Sequence, residues 1–311
     1  MKTQFDPVGG NEKAVEHRLY DFRQLVPTTG NIYFVDSVNG SATATGLSPE
    51  DALTTIDAAI GKCTAGNADV IIVLPGHVED LGSGETIDAD VAGITIVGLG
   101  NGPSRPRIDY NHATASFDIG ASGVTLKNLT FRPSVATVAI GVDVEAGVTD
   151  TLIQDCEFLP GEAGDGTDEF AIGIDIKAGC TRTTIERLVY AHHASCDGAA
   201  SCIKLTGASD RVRISDCWLQ ISGTAAVACI HGITTLSTRL LIENCVLVTD
   251  AEPGIELLTG TTGVIRNVDI FADLATIAAA TVADGMAHFR VRYVEAGNES
   301  DAVVKTASAD D

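Results

Sequence analysis

The segment VRISDCWL at residues 212–219 decides the fold, because its pattern recurs in six copies along the chain. In each copy the third, sixth and eighth residues are apolar and the fourth is polar. This alternation is typical of half-buried β-strands. The copies begin 27, 32, 29, 28 and 23 residues apart: VTLKNLTF (124–131), TLIQDCEF (151–158), TTIERLVY (183–190), VRISDCWL, LLIENCVL (240–247) and GVIRNVDI (263–270).

The fifth residue of each copy interrupts the alternation, so we expect a bend there between two strands. It is Asn or Asp in most copies, as at Asn128 and Asp216. These residues tolerate the left-handed backbone conformation and hydrogen-bond their own backbone. Arg187 occupies the position in the third copy, and the sequence offers no physical reason for this arginine.

A second strand precedes each copy, as in GVDVEAG at 141–147 and GIDIKAG at 173–179. Repeats of this length without a helical period predict a coil whose turns pair edge to edge, about 4.8 Å apart. One coil cannot bury its apolar face, whereas stacked coils form a continuous core. The sequence therefore predicts an all-β protein, a right-handed parallel β-helix or solenoid.

The first coil of a β-helix exposes unpaired strand edges, so we expect a cap. Residues 48–60, SPEDALTTIDAAI, predict an N-terminal capping helix with Ser48 as N-cap and Pro49 at the first helical position. The predicted organisation is an N-terminal arm at 1–30, the capping helix and first coil at 31–92, the β-helix shaft at 93–275, and C-terminal strands with a polar tail at 276–311.

Charge and composition exclude several kinds of partner. The chain has 42 acidic and 20 basic residues, a formal net charge of -22. Nucleic acid and an anionic membrane surface are excluded, because both bind proteins chiefly through Lys and Arg. No apolar stretch is long enough to span a bilayer, and the N-terminal sequence lacks a secretory signal. The eight cysteines form no CxxC pair, so we expect free, buried thiols.

Three segments near the N-terminus resemble the entry module of pectate-lyase-like β-helix proteins: NIYFVDSVNG (31–40), TGLSPEDALTTIDAAI (45–60) and DVIIVLPGHVED (69–80). His77 and Val78 stand where this module often has Thr and Tyr. With ITIVGLGNGPSRP (94–106) and SGVTLKNLTF (122–131) following, the chain is similar to β-helix proteins encoded among the head genes of tailed bacteriophages. The resemblance covers roughly residues 31–270.

The resemblance implies a non-enzymatic bacteriophage virion structural protein of the capsid decoration or cement type. Its partner would be the major capsid protein or another virion protein, and its location the virion, assembled in the host cytoplasm. The fold also hosts other functions. A polysaccharide-degrading lyase or hydrolase of the tailspike type and a glycan-binding module remain as alternatives. The low aromatic content, 5%, and the apparent lack of a column of basic residues disfavour the enzyme.

The second strand set brings polar residues to equivalent outward positions in successive coils. Asp143 and Asp175 would lie about 5 Å apart, a separation that suits a retaining carboxylate pair or two ligands of Ca²⁺. The alternative is a solvated polar face on which Lys204 partly neutralises Asp175. The predicted column comprises Asp118, Asp143, Asp175, Lys204, His231 and Glu256.

We expect neither a metal site nor a cofactor. The acidic loop GEAGDGTDE at 161–169 lacks the ligand register of a calcium loop. His192 and His193, with Cys196 and Cys202 nearby, lack the spacing of a zinc site. Cys217 and Cys245, like Cys202 and Cys229, occupy equivalent inward positions in adjacent coils, where small buried side chains fit.

Trp218 is the single tryptophan, and the alternation turns it outward. Val189 and Val246 take the same position in the neighbouring coils. An outward Val–Trp–Val stripe on an acidic shaft favours a subunit interface, because exposed apolar patches commonly mark interfaces. We expect a homo-oligomer, a trimer. The alternative is a stripe covered by the chain's own arm or tail.

Overall fold

The computed structural model describes residues 28–161, 168–191, 199–223, 225–232, 234–249, 253–272 and 286–295. This part of the chain is a parallel β-solenoid with almost no helix. The strands are β1 (Ile32–Val35), β2 (Val70–Val73), β3 (Val78–Leu81), β4 (Thr86–Asp88), β5 (Thr95–Gly98), β6 (Arg107–Tyr110), β7 (Ser116–Ile119), β8 (Thr125–Lys127), β9 (Thr130–Pro133), β10 (Val138–Val144), β11 (Leu152–Gln154), β12 (Glu157–Phe158), β13 (Phe170–Ile176), β14 (Thr184–Glu186), β15 (Val189–Tyr190), β16 (Ser201–Leu205), β17 (Arg213–Ser215), β18 (Trp218–Ile221), β19 (Ala228–Gly232), β20 (Leu240–Glu243), β21 (Val246–Thr249), β22 (Ile255–Leu257), β23 (Gly263–Ala272) and β24 (Met286–Glu295).

The strands stack in register into three faces. The first face is β1–β2–β5–β8–β11–β14–β17–β20, and the second is β3–β6–β9–β12–β15–β18–β21. The long strands β23 and β24 continue both faces and join them into one 17-stranded sheet. The third face is the 7-stranded sheet β4–β7–β10–β13–β16–β19–β22. All of these pairings are parallel, as the repeat predicted.

The bend predicted at the fifth position of the repeat is confirmed. Asn128, Asp155, Asp216, Asn244 and Asn267 all have the left-handed conformation, with φ between 52° and 56°. Arg187 adopts it too, with φ 52°. Its guanidinium binds the carboxylate of Asp155 in the preceding coil, with Nε–Oδ1 at 2.6 Å and Nη2–Oδ2 at 3.1 Å. This bidentate pair gives the physical reason for the arginine that the sequence alone lacked.

A second column of bends was not predicted. Asp150, Arg182, Arg211 and Arg239 stack at the turn before the first face, all left-handed, with φ between 55° and 60°. Arg182 and Arg239 each bind an aspartate of the preceding coil, with Nε–Oδ1 distances of 2.5 Å to Asp150 and 2.7 Å to Asp210. The expectation that no basic residues form a column was therefore wrong. These arginines are engaged by carboxylates within the shaft.

The predicted capping helix over 48–60 is wrong in its extent. The segment forms a 3₁₀ turn at Pro49–Asp51 and a five-residue helix, α1 (Ile56–Ile60). Leu53 pairs with Val35 in an isolated parallel bridge, which keeps the chain extended between the two turns. Thr55, rather than Ser48, caps the helix, with its Oγ1 accepting from Ala58 N at 3.2 Å. The role of α1 as a cap stays a prediction.

The core consists of the inward positions that the repeat predicted. Phe131, Phe158 and Tyr190 stack in successive coils, with ring centroids 4.8 and 5.3 Å apart. All three are buried. At the far end, β24 confirms a strand within the predicted C-terminal segment 276–311. Most of the predicted arm, the rest of segment 276–311 and the polar tail lie outside the described residues.

Candidate functional site

The polar column on the third face has the predicted register. Asp143 pairs with Asp118 on one side and Asp175 on the other. Lys204, His231 and Glu256 follow in order on β16, β19 and β22. Asp88 on β4 pairs with Asp118 and extends the column by one coil. Asp88 was not among the predicted residues, because β4 lies outside the six aligned repeats.

The column is less solvated than the sequence suggested. Asp143 is 6% exposed and Asp175 is 3% exposed. The interpretation as a freely solvated polar face is therefore wrong for these two carboxylates. Each is covered by its neighbours in the coils above and below and by further polar side chains on the same face. Thr206 Oγ1 donates a hydrogen bond to Asp175 Oδ1.

Lys177 is a neighbour of Asp143 that was not predicted. Its Nζ lies 2.6 Å from Asp143 Oδ2 and 2.9 Å from Glu145 Oε1. Lys177 stands two residues after Asp175, so it points to the same side of the strand. Extending the outward alternation by one step would have found it. Lys204 lies in register beside Asp175, as predicted, and its charge acts to lower the pKa of that carboxyl.

Burial controls the protonation of the column. It raises the pKa of Asp143 to about 6, although Lys177 acts in the opposite direction. Burial also raises the pKa of Asp118 and of Asp175. For Asp88, burial and the charges of Asp90 and Asp118 raise the pKa together. The Oδ1 atoms of Asp118 and Asp143 are buried and accept no hydrogen bond from the described residues.

We expect the Asp143 carboxyl to make the stability of the fold depend on pH. Burial raises its pKa to about 6 in the folded chain, above the 3.8 of an aspartate in water, so the folded state binds the proton more tightly than the unfolded state does. The resulting stabilisation is present below pH 3.8 and is lost as pH rises through about 6. Urea unfolding should therefore show the midpoint of the native chain falling relative to that of Asp143→Asn between pH 4 and pH 7. A pH-independent difference between the two would contradict this assignment.

His231 and Glu256 end the column without forming a hydrogen bond. Their closest atoms, Nε2 and Oε2, are 3.7 Å apart, which is too long for one. Burial is the main cause that lowers the pKa of His231. The His231 imidazole is therefore neutral near neutral pH, and it lies in register between Lys204 and Glu256.

Among the described residues, no group of three or more His, Cys, Asp and Glu side chains is arranged to hold a metal ion. The acidic loop at 161–169 falls mostly outside these residues, as do His192, His193 and Cys196. The described cysteines are free thiols, and all but Cys63 are buried, as expected. No helix in this part of the chain is long and apolar enough to cross a membrane.

The apolar stripe on the second face also has the predicted register. Val189 pairs with Trp218, and Trp218 pairs with Val246. Trp218 is 48% exposed and Val189 is 40% exposed, while Val246 is half-buried. The stripe therefore lies on the surface of the shaft, on a different face from the acidic column. Its role as an interface stays a prediction.

The chain is similar to known proteins only in its fold. No protein-family model matches the chain, and neither does any curated protein sequence. A rhamnogalacturonan lyase is 12% identical over 89% of this chain and 90% of its own, with a TM-score of 0.49. A pectin methylesterase from Aspergillus niger is 13% identical over 89% of this chain and 88% of its own, with a TM-score of 0.47.

A viral protein is among the similar structures. The ORF18 protein of Geobacillus virus E2 is 12% identical over 95% of this chain and 65% of its own, with a TM-score of 0.43. These neighbours are pectate-lyase-like parallel β-helix proteins. At such identities they carry no information on what this chain binds or catalyses.

Proposed function

We propose that the chain is a non-enzymatic structural protein of a bacteriophage particle, of the capsid decoration type. The observation that carries the proposal is the exposed stripe of Val189, Trp218 and Val246 on a chain of net charge -22. Exposed apolar surface on such an acidic rod favours a protein contact, because large exposed apolar side chains commonly mark interfaces. The stripe would join copies of this chain into a trimer, located in the virion.

Two further features support a structural role. A solenoid whose coils pair along their whole length makes a stiff rod. Carboxylates and guanidiniums of adjacent coils bind each other on its surface, as when Glu243 Oε1 accepts from Arg213 at 3.0 Å and Glu243 Oε2 from Arg266 at 2.7 Å. On the third face Lys177 already occupies one oxygen of Asp143. Charged side chains that form ion pairs between adjacent coils stiffen the shaft and are not free to bind a substrate.

Fractionation of infected cells tests the proposal. A tagged copy of the chain should sediment with assembled particles in a density gradient and remain there after washing at moderate salt. The partner recovered by cross-linking should be the major capsid protein or another virion protein. Recovery of the chain only in the soluble fraction would contradict the virion location.

A polysaccharide-degrading enzyme is the second candidate, and the raised pKa of Asp143, about 6, favours it. A carboxyl with a raised pKa keeps its proton at mildly acidic pH and can then act as a general acid, and Asp175 is the neighbour of Asp143 in the next coil. Incubation with acidic and neutral polysaccharides should then release new reducing ends. Asp143→Asn and Asp175→Asn would abolish the release, whereas Asp80→Asn on the second face would not. Binding without products would indicate a glycan-binding module.

A further inference from the structure

The loop between β5 and β6 is held firmly on the first bend of the next coil. Asn128 Nδ2 donates hydrogen bonds to the carbonyl oxygens of Gly98 and Gly100, at 2.8 and 2.9 Å. A Cβ on residue 98 would come within 2.2 Å of the Asn128 carbonyl oxygen, so this close approach requires glycine. Gly100 has φ +102°, which also favours glycine. The loop is thus preformed, and a ligand beside it would not have to order it.

This loop and the bend border a hollow lined by two cationic side chains, Arg105 and Lys127. Its lining includes Val97, Leu99, Arg105, Lys127 and Asp155. Nε of Arg105 is buried and has no hydrogen-bond partner in the described part of the chain. Lys127 lies in register between Val97 and Gln154, which carry no charge. None of the ion pairs formed between described residues involves Lys127.

The carboxylates near the hollow are already engaged. Asp155 is bound by Arg187, with Nε–Oδ1 at 2.6 Å, and it also interacts with the charges of Lys127 and Arg105. Glu157 is bound by Nη1 of Arg105 at 2.9 Å, which leaves the Nε–H of that arginine unused. A buried donor without an acceptor is costly, and a carboxylate oxygen is the acceptor that forms the strongest hydrogen bond with a guanidinium.

We propose that the hollow binds one carboxylate group, supplied by a glutamate or aspartate side chain of a protein partner. Arg105 Nε–H and the Lys127 ammonium would share its two oxygens, and the methylenes of the partner side chain would rest on Leu99 and Val97. These aliphatic contacts suit a peptide better than a sugar ring, since no aromatic residue lines the hollow for a ring to stack on. The site lies in the N-terminal half of the shaft, and Glu157, which binds Arg105, pairs with Val189 at one end of the stripe of Val189, Trp218 and Val246. Carboxylate binding in the hollow does not require that stripe.

NMR titration of the native chain tests the site directly. The probe is a pentapeptide, acetylated and amidated, with one glutamate between alanines, added at about 0.15 M salt, where the field of the acidic chain is screened beyond about 8 Å. The Arg105 Nε–H resonance should shift in a saturable way. Lys127→Met should weaken this binding roughly tenfold or more, as expected for losing a hydrogen bond between charged groups.

The controls separate this site from general attraction. Lys62→Met removes an exposed lysine after α1, outside the hollow, and should leave the titration unchanged. The same peptide with glutamine should produce no shift. The proposal is overturned if the glutamate peptide leaves Arg105 Nε–H unmoved, or if Lys127→Met binds as well as the native chain. It is also overturned if galacturonate binds while the peptide does not, because the site would then recognise a sugar acid.

Discussion

Phe158→Ala should lower the free energy of unfolding by about 3–5 kcal/mol, the range found for large-to-small changes at buried aromatic sites. The ring of Phe158 is fully buried between Phe131 and Tyr190 of the adjacent coils, and it meets Phe170 edge-on at 5.4 Å. The side chains that contact Phe158 belong to three different coils. These coils cannot all move inward to fill the cavity that the missing ring would leave. Denaturant unfolding followed by circular dichroism measures the loss.

The matched control for Phe158 is Phe289→Ala, because Phe289 is 59% exposed. Its removal should change the free energy of unfolding by no more than about 0.5 kcal/mol. In a solenoid the coils interact mainly with their neighbours, so unfolding of Phe158→Ala could lose its two-state character while the control keeps it. Equal losses in both variants would contradict the stacked core as the source of stability.

Trp218→Glu should abolish assembly of the chain with itself. In the proposed trimer the indole lies in the middle of an apolar contact, and a carboxylate there would be removed from water without a partner. The native chain should show about three times its 32.2 kDa mass in light scattering, and the variant 32.2 kDa.

Leu236→Glu is the control for this change, since Leu236 is also exposed, at 46%, and lies outside the stripe. It should leave the assembled mass unaltered. If the native chain is already monomeric, or if Trp218→Glu keeps the native mass, the stripe is not an interface between copies.

The fold could be predicted because the residue pattern of each repeat indicates both its strands and the bend between them. The alternation around Asn128 and Asp216 fixes which side chains point inward, and the interruption at the same position fixes the bend. Parallel pairing then brings equal positions together, which is why the Asp143–Asp175 and Val189–Trp218 neighbours followed from alignment alone. The extent of the helix predicted at 48–60 was harder to derive from the sequence. The pairing of Leu53 with Val35 is a tertiary contact that overrides local helix propensity.

The site was less predictable, since its chemistry depends on burial and on residues outside the repeat. The alternation places Asp143 outward, but it does not show that the surrounding side chains would bury it. The ion pair of Lys177 with Asp143 and the pair of Arg187 with Asp155 each join adjacent coils. Such contacts depend on side-chain conformation, which residue spacing does not specify.

The copy number of this protein in purified phage particles, measured by quantitative mass spectrometry against the major capsid protein, tests the structural role most directly. A decoration protein is predicted to be present in hundreds of copies, in a fixed ratio to the capsid subunits. A handful of copies would indicate a fibre or tailspike. The face that carries Asp143 and Asp175 should then be assayed for activity on polysaccharides. Absence of the chain from purified particles would contradict the virion role altogether.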